Sequence, residues 1–431
     1  MNVLFINPPL PVNPKSTLLH PPLGFAYIAN SLKNDNHVVV IADMPIIGNT
    51  LDTLNNYLND YNPEIIGITC VTETYAQALK VAKFIKGKKN CPIVFGGPHV
   101  TFIPGEILTR HPEIDYVISY DGETAFCELL QILENNGDVA QKLKVNNLSF
   151  RNGQQIIINS VGCCEKDIDK FGIPDRALFD MNFYLKRDYE TVVMTARGCP
   201  GRCHFCSTSV MGRKYRTNSI NHVLKEISNV IDLGFTSIFF GDDTFAGDKQ
   251  RLGYLCDKIY EKKINIDWTC NIRVVDAEPS LLKKMKKAGA YRVFMGFESI
   301  NYSTLKRMNK STQGFNQIEA VKNVKEAGLE IHGSFLIGYP GDGEQLILDN
   351  VAFIKDVLKP TLVTFNMLEV RPGTLLSQDP EKFGIHLDDN YWYEKSTWLN
   401  DLPFSTNELS SKDIKRICTM CYDSFYNSCD L

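Results

Sequence analysis

Cys199, Cys203 and Cys206 stand at C-x3-C-x2-C spacing directly after a β-branched run at residues 191–196. No other feature restricts the fold as tightly, because thiolates on one short loop converge only if a strand end anchors that loop beside open space. Such a trio suits a cubane iron–sulfur cluster, and three protein ligands rather than four leave one iron open to a bound molecule. A structural zinc ion wants four ligands, and His204, inside the motif, is poorly spaced to close a tetrahedron.

The run before the cysteines opens an alternation of strand and helix. Further strands are expected at 236–240, 266–271, 291–295, 330–337 and 362–365, with helices such as 219–233, 279–288 and 317–327 between them. Six βα units of this kind fit a partial parallel barrel, whose chemistry belongs at the C-terminal ends of its strands. Residues 1–135 carry a second alternation, with strands at 3–7, 37–43, 65–69, 93–95 and 115–119 and helices at 74–86 and 123–134. This is a doubly wound α/β pattern, in which ligands sit beyond the carboxyl ends of the strands. Glycine and proline gather there, in Asn7-Pro8-Pro9, Gly96-Gly97-Pro98-His99 and Asp121-Gly122-Glu123.

Between the alternations, residues 136–190 read as a linker with a hairpin around Asn152-Gly153. Residues 376–431 hold a helix at 408–426 and the tryptophans Trp392 and Trp398, and are expected to fold onto the barrel. The charge balance, 46 Lys and Arg against 50 Asp and Glu over 431 residues, leaves no basic footprint for nucleic acid or anionic lipid. A small-molecule substrate is expected. No apolar run reaches the roughly 18 residues of a membrane span, and the first residues lack a signal-peptide pattern, so a cytoplasmic protein without a membrane span is expected. In that setting the 13 cysteines suit metal binding or core packing better than disulfides. There is no P-loop and no strand-linked G-x-G-x-x-G to suggest ATP or NAD.

The cysteine loop, the barrel pattern and the N-terminal domain together resemble the radical S-adenosylmethionine (SAM) enzymes, specifically the subgroup with an N-terminal cobalamin-binding domain, which includes class B methyltransferases and the anaerobic magnesium-protoporphyrin cyclases. The resemblance implies a Rossmann-like cobalamin-binding domain at 1–135, the linker, a partial (βα)6 radical SAM barrel at 191–375 and a small, mostly helical C-terminal region at 376–431. It implies that Cys199, Cys203 and Cys206 are the catalytic and metal-binding trio, holding a [4Fe-4S] cluster whose fourth iron is chelated by SAM. Phe205 would lie near the adenine. Asp242 or Asp243 would face the site, with helix capping as the competing role. Arg273 offers its guanidinium to the SAM carboxylate, with a structural salt bridge as the alternative. Glu298 would accept hydrogen bonds from the SAM amino group or ribose, and Gly338, Pro340 and Gly341 would line the adenine.

For cobalamin the resemblance points to the loops bearing Asn7, Pro8, Pro22, Leu23, Gly24, Thr69, Gly96, Gly97, His99, Asp121, Gly122 and Glu123. A bare flavodoxin-like regulatory domain is the competing reading of these residues. The stretch Asp35-Asn36-His37 lacks the final glycine of the cobalt-ligating D-x-H-x-x-G pattern, so His37 reads as a strand-edge residue. Cys418 and Cys421 share an apolar helical face with Ile417 and Phe425 and read as core, and Cys70 reads as buried. The adjacent pair Cys163-Cys164 is unsuited to one cubane iron, and Cys429 lies beyond the helix.

The activity implied is reductive cleavage of SAM to a 5′-deoxyadenosyl radical, hydrogen abstraction and methylation of an unactivated carbon of a small metabolite or natural-product intermediate. A flavodoxin or ferredoxin would supply the electron. Cyclisation or rearrangement using cobalamin without methyl transfer is the alternative, and a cobalamin- or redox-sensing binding protein is a third reading.

Overall fold

The computed structural model describes the chain except for residues 12–18, 34–36, 49, 163, 189, 209–213, 311–315, 390–392, 394–401 and 427–431. It comprises two compact units, one built from Met1–Asp188 with Tyr393 and the other from the remaining described residues.

The first unit is a seven-stranded sheet of order β2-β1-β3-β4-β5-β6-β7, with β1 at Asn2–Asn7, β2 at Val38–Asp43, β3 at Ile65–Thr69, β4 at Ile93–Gly96, β5 at Tyr116–Ile118, β6 at Leu148–Asn152 and β7 at Gln155–Ile158. The first five pair in parallel. Their interior runs, such as Val3 to Ile6, are buried without alternation, as expected where helices cover both faces. Helices Tyr75–Lys86 and Glu123–Glu134 fall where the sequence places them.

Residues 136–188 correct the linker reading. The hairpin β6–β7 forms, with Asn152 opposite Gln155 and Gly153 at φ +60°, but it is part of the sheet. β6 pairs antiparallel with β5, satisfying an edge that would otherwise expose a row of backbone donors and acceptors. The amide of Asn159 donates to the carbonyls of Lys142 and Val145, and that of Asn30 to those of Phe171 and Ile173, fixing the rest of the segment to this unit.

The second unit is built on six parallel strands, β8 at Glu190–Val193, β11 at Ser237–Phe240, β12 at Asp267–Arg273, β13 at Ala290–Glu298, β14 at Glu330–Ile337 and β15 at Leu362–Met367, in the order β15-β14-β13-β12-β11-β8. A two-stranded ribbon of β9 (Ala196–Arg197) and β10 (Arg216–Thr217) brackets the cysteine loop. Burial alternates along β13 and β14, so outward residues pack under the helices and inward residues face the lumen. Ser219, Asp248, Asn301 and Asn316 cap four of the helices through their side chains, which fixes where those helices begin. Trp268 is fully buried against Phe240 and Phe245 and donates its indole N–H to the Ala288 carbonyl at 2.7 Å.

The C-terminal region is less purely helical than expected. It adds an antiparallel ribbon, β16 at Ile385–Leu387 and β17 at Phe404–Thr406, and Tyr393 joins the first unit, where its hydroxyl donates to Glu106. Helix Ser411–Tyr426 packs on β15: the hydroxyls of Tyr422 and Tyr426 accept from the N–H groups of Phe365 and Val363. Ile417, Cys418, Cys421 and Phe425 are buried on its inner face, and Cys70 is buried in the first unit. Asp35, Asn36, Cys163, Trp392, Trp398 and Cys429 lie outside the described residues. Among the described residues, no helix is long and apolar enough to cross a membrane.

Candidate functional site

The strands of the second unit surround a cavity of about 430 Å³, a usual size for a small-molecule site. Cys199, Cys203 and Cys206 all line it, with Gly201 and Phe205 from the same loop. The loop is fixed from two sides. After β11, the Asp243 carboxylate accepts the Gly198 N–H at 3.0 Å and the Thr208 hydroxyl at 3.3 Å. Asp242 accepts the backbone N–H groups of Thr195 and Ala196 at 2.6 and 3.0 Å and the Thr195 hydroxyl at 2.6 Å. On the other side the His204 N–H donates to the Met308 carbonyl and the Asn309 amide donates to the Arg202 carbonyl, both at 2.9 Å.

Each thiol lies within the electrostatic reach of its neighbours. Burial raises Cys199 and pushes Cys203 up to about 11, while the Lys310 ammonium pulls Cys203 back toward the thiolate. Among the described residues no three His, Cys, Asp or Glu side chains gather as a single metal ion would require. A cubane takes its cysteine thiolates on separate irons, and all three cysteines line this one cavity.

Of the expected SAM contacts, Phe205, Asp243, Arg273 and Glu298 line the cavity. Asp242 does not; fully buried, it supports the loop from behind, and burial pushes its carboxyl up to about 7. Arg273 forms the competing salt bridge, a two-point pair with Asp276 at 2.9 Å for each bond, which leaves three of the five guanidinium N–H groups outside that pair. Gly338, Pro340 and Gly341 are not on the wall either. A Cβ at Gly338 would meet Ile414 at 2.9 Å, so this glycine admits the C-terminal helix, and Arg307 donates to the Pro340 carbonyl at 3.1 Å and crowds Gly341. Their loop reaches the site through Tyr339, whose ring stands edge-on to Phe205 at 6.4 Å.

Sequence reasoning missed Lys310, which pairs with Glu298 at 2.9 Å, and a polar stretch of wall on β14 and β15. There His332 meets the Thr364 hydroxyl at 2.5 Å and the Asn366 amide donates to Ser334 at 3.0 Å. Alternation along the two strands was the signal that could have found this wall.

The first unit has its own cavity, about 330 Å³, where β1, β3 and β4 end. Of the residues expected to surround cobalamin, Asn7, Pro22, Leu23, Gly24, Thr69, Gly96, Gly97 and Gly122 line it. Phe5, Phe25, Gly67 and Phe126, which the sequence did not single out, make it an apolar slot. A Cβ at Gly67 would fall 2.6 Å from the Phe5 ring, so only glycine leaves that wall open. Pro8, His99, Asp121 and Glu123 are not on its wall. His99 is buried, tilted over Tyr75 at 4.2 Å, with Nδ1 3.1 Å from the Thr72 hydroxyl, and Asp121 lines a separate polar cavity. His37 sits at the opposite end of the sheet, its Nδ1 3.1 Å from the N-terminal amine.

Comparison with known proteins agrees with this geometry. The B12 binding domain family matches residues 10–130 and the Radical SAM superfamily matches residues 193–354. An uncharacterized methyltransferase of Pyrococcus horikoshii is 31% identical over 99% of this chain and 92% of its own. The anaerobic magnesium-protoporphyrin IX monomethyl ester cyclase of Cereibacter sphaeroides is 25% identical over 83% of this chain, which spans only 60% of that protein. Among solved structures, the radical SAM methyltransferase TsrM from Kitasatospora setae, with cobalamin and a [4Fe-4S] cluster bound, superposes with a TM-score of 0.77 over 90% of this chain and 77% of its own, at 17% identity, a likeness of fold.

Proposed function

Because the chain belongs to the radical SAM enzymes that carry an N-terminal B12-binding domain, we propose that it methylates an unactivated carbon of a small molecule, using a [4Fe-4S] cluster, SAM and cobalamin. The observation that carries this reading is the presence, in one chain, of a barrel cavity lined by three cysteines and an apolar slot at the ends of the first unit's strands. When bound, these cofactors supply a hydrogen-abstracting radical and a methyl donor, chemistry that polar side chains cannot provide. The protein contributes binding, orientation and exclusion of water.

In this reading Cys199, Cys203 and Cys206 hold the cluster. Phe205, backed by Tyr339, offers an aromatic face to the adenine, and the N–H groups of Arg273 outside its pair with Asp276 take the SAM carboxylate. Asp243 keeps the cysteine loop in shape. Gly24, Gly97 and Gly122 let backbone approach the corrin, and Phe5, Phe25 and Phe126 receive an apolar part of it. The electron comes from a flavodoxin- or ferredoxin-class donor.

The test is to quantify products after anaerobic turnover. Methyl transfer of this kind consumes two SAM molecules, so S-adenosylhomocysteine and 5′-deoxyadenosine should accumulate together in equal amounts. The similarity to the cyclase favours a second reading, rearrangement without methyl transfer, for which 5′-deoxyadenosine alone would be found. Failure to form either product, with cluster and reductant verified, would leave the sensing role.

A further inference from the structure

We propose that Lys310 is a positioning residue that sets how readily the cysteine-bound cluster accepts its electron, a role that rests on reading Cys199, Cys203 and Cys206 as cluster ligands. The backbone builds this placement. Helix Tyr302–Arg307 runs out through Met308 and Asn309, and Asn309 adopts a left-handed φ of +52°. The Met308 carbonyl and the Asn309 amide grip the chain on either side of Cys203, through the His204 N–H and the Arg202 carbonyl, each at 2.9 Å. Lys310 is the next residue, so its position is tied to that of Cys203 by two hydrogen bonds.

Its side chain is then held by Glu298, Nζ to Oε1 at 2.9 Å, with the two side chains only 14% and 12% exposed. Three local irregularities make that pair possible. The register of β13 against β14 shifts between Gly296 and Glu298, and Glu298 takes a φ of +63°, an uncommon state for a residue with a Cβ. At Gly296 a Cβ would stand 2.5 Å from Glu298 Oε1 and 3.1 Å from Lys310 Nζ, so the bare glycine lets the charged ends of the pair lie against the strand, where a larger residue would push them aside. Backbone strain of this kind persists where its surroundings over-determine it and clusters at functional sites. Cys203, Glu298 and Lys310 all line the one cavity, so the charged pair and the ligand sulfur share the same partly enclosed space.

Reduction adds one electron from a low-potential one-electron donor, dithionite in the test below. No bond forms or breaks and no proton moves, so the charge at the site falls by one. A cation beside the ligand sulfur favours the more negative state and an anion opposes it, and in a partly dry cavity neither is fully screened. Lys310 and Glu298 therefore act in opposite directions on the cluster.

The experiment is a redox titration with dithionite of the anaerobically reconstituted full chain without SAM, followed by electron paramagnetic resonance. In Lys310→Met the ratio of reduced to oxidised cluster at a fixed potential should fall about tenfold, which is about 59 mV for one electron. Glu298→Gln should shift the ratio the other way, and the double variant should return close to wild type. Opposite signs are what a purely structural role would not produce. Unchanged ratios, or shifts of both single variants in one direction, would overturn the proposal. Should Lys310→Met fail to load a cluster, the near-isosteric Glu298→Gln decides alone by the sign of its shift. Absence of a [4Fe-4S] signal in the wild type would instead refute the cysteine assignment and the proposal with it.

Discussion

Asp242 was expected as a candidate SAM contact, and the structure gives it a different job. Its position after β11 was legible from the Gly241-Asp242-Asp243 run, but which of two adjacent carboxylates reaches a cavity depends on strand alternation and on the loop above. The structure gives Asp243 the wall and Asp242 the interior. Because burial raises Asp242 from 3.8 to about 7, the folded chain holds a proton that the unfolded chain releases between those values. The stability this contributes is fully present below the unfolded pKa and is lost as pH rises through about 7. Thermal or urea unfolding of the metal-free chain should show a component falling with pH by at most about 1.4 kcal/mol per pH unit. Asp242→Asn keeps one oxygen for the Thr195 and Ala196 amides and should flatten that component; an unchanged slope would count against a protonated Asp242. Lys310 was illegible for another reason. It lies outside any motif, and the turn after helix Tyr302–Arg307 brings it to the cavity that Cys203 also lines.

At the scale of elements, most strands could be read, because parallel strands buried on both faces appear as continuous apolar runs and their helices as amphipathic stretches. Pairing between distant segments could not. Nothing in the composition of 148–158 says that the hairpin will extend the sheet rather than stand in a linker; that outcome follows from the open edge of β5. The apolar slot was half legible in the same way. Its glycines announce a ligand-facing loop, whereas the gap beside Gly67 exists only once Phe5 and Phe126 are packed around it. Helix Leu23–Leu32 offers a direct test, since a Cβ at Gly24 meets nothing within 4 Å and the residue lines the slot. Gly24→Leu should be tolerated by the fold, with helix propensity improved by about 0.5–1 kcal/mol. It should weaken corrinoid binding at least about tenfold, an obstruction worth about 1.4 kcal/mol, while iron content stays the same. Equal corrinoid retention would show that the slot is not the corrinoid site.

For the whole molecule, the order of the two domains along the chain was legible, the B12-binding domain at 10–130 preceding the radical SAM domain at 193–354. The boundary between units was not, because residues 136–188 and Tyr393 are claimed by packing rather than by composition. The account as a whole depends on the cysteine loop, and the most direct measurement is iron, acid-labile sulfide and corrinoid per chain after anaerobic reconstitution of wild type and Cys203→Ala. About four irons and four sulfides are expected in the wild type. In Cys203→Ala the iron and sulfide should be lost, along with 5′-deoxyadenosine formation, and corrinoid retained. One metal ion per chain in the wild type, or full iron and continued SAM cleavage in Cys203→Ala, would contradict the account.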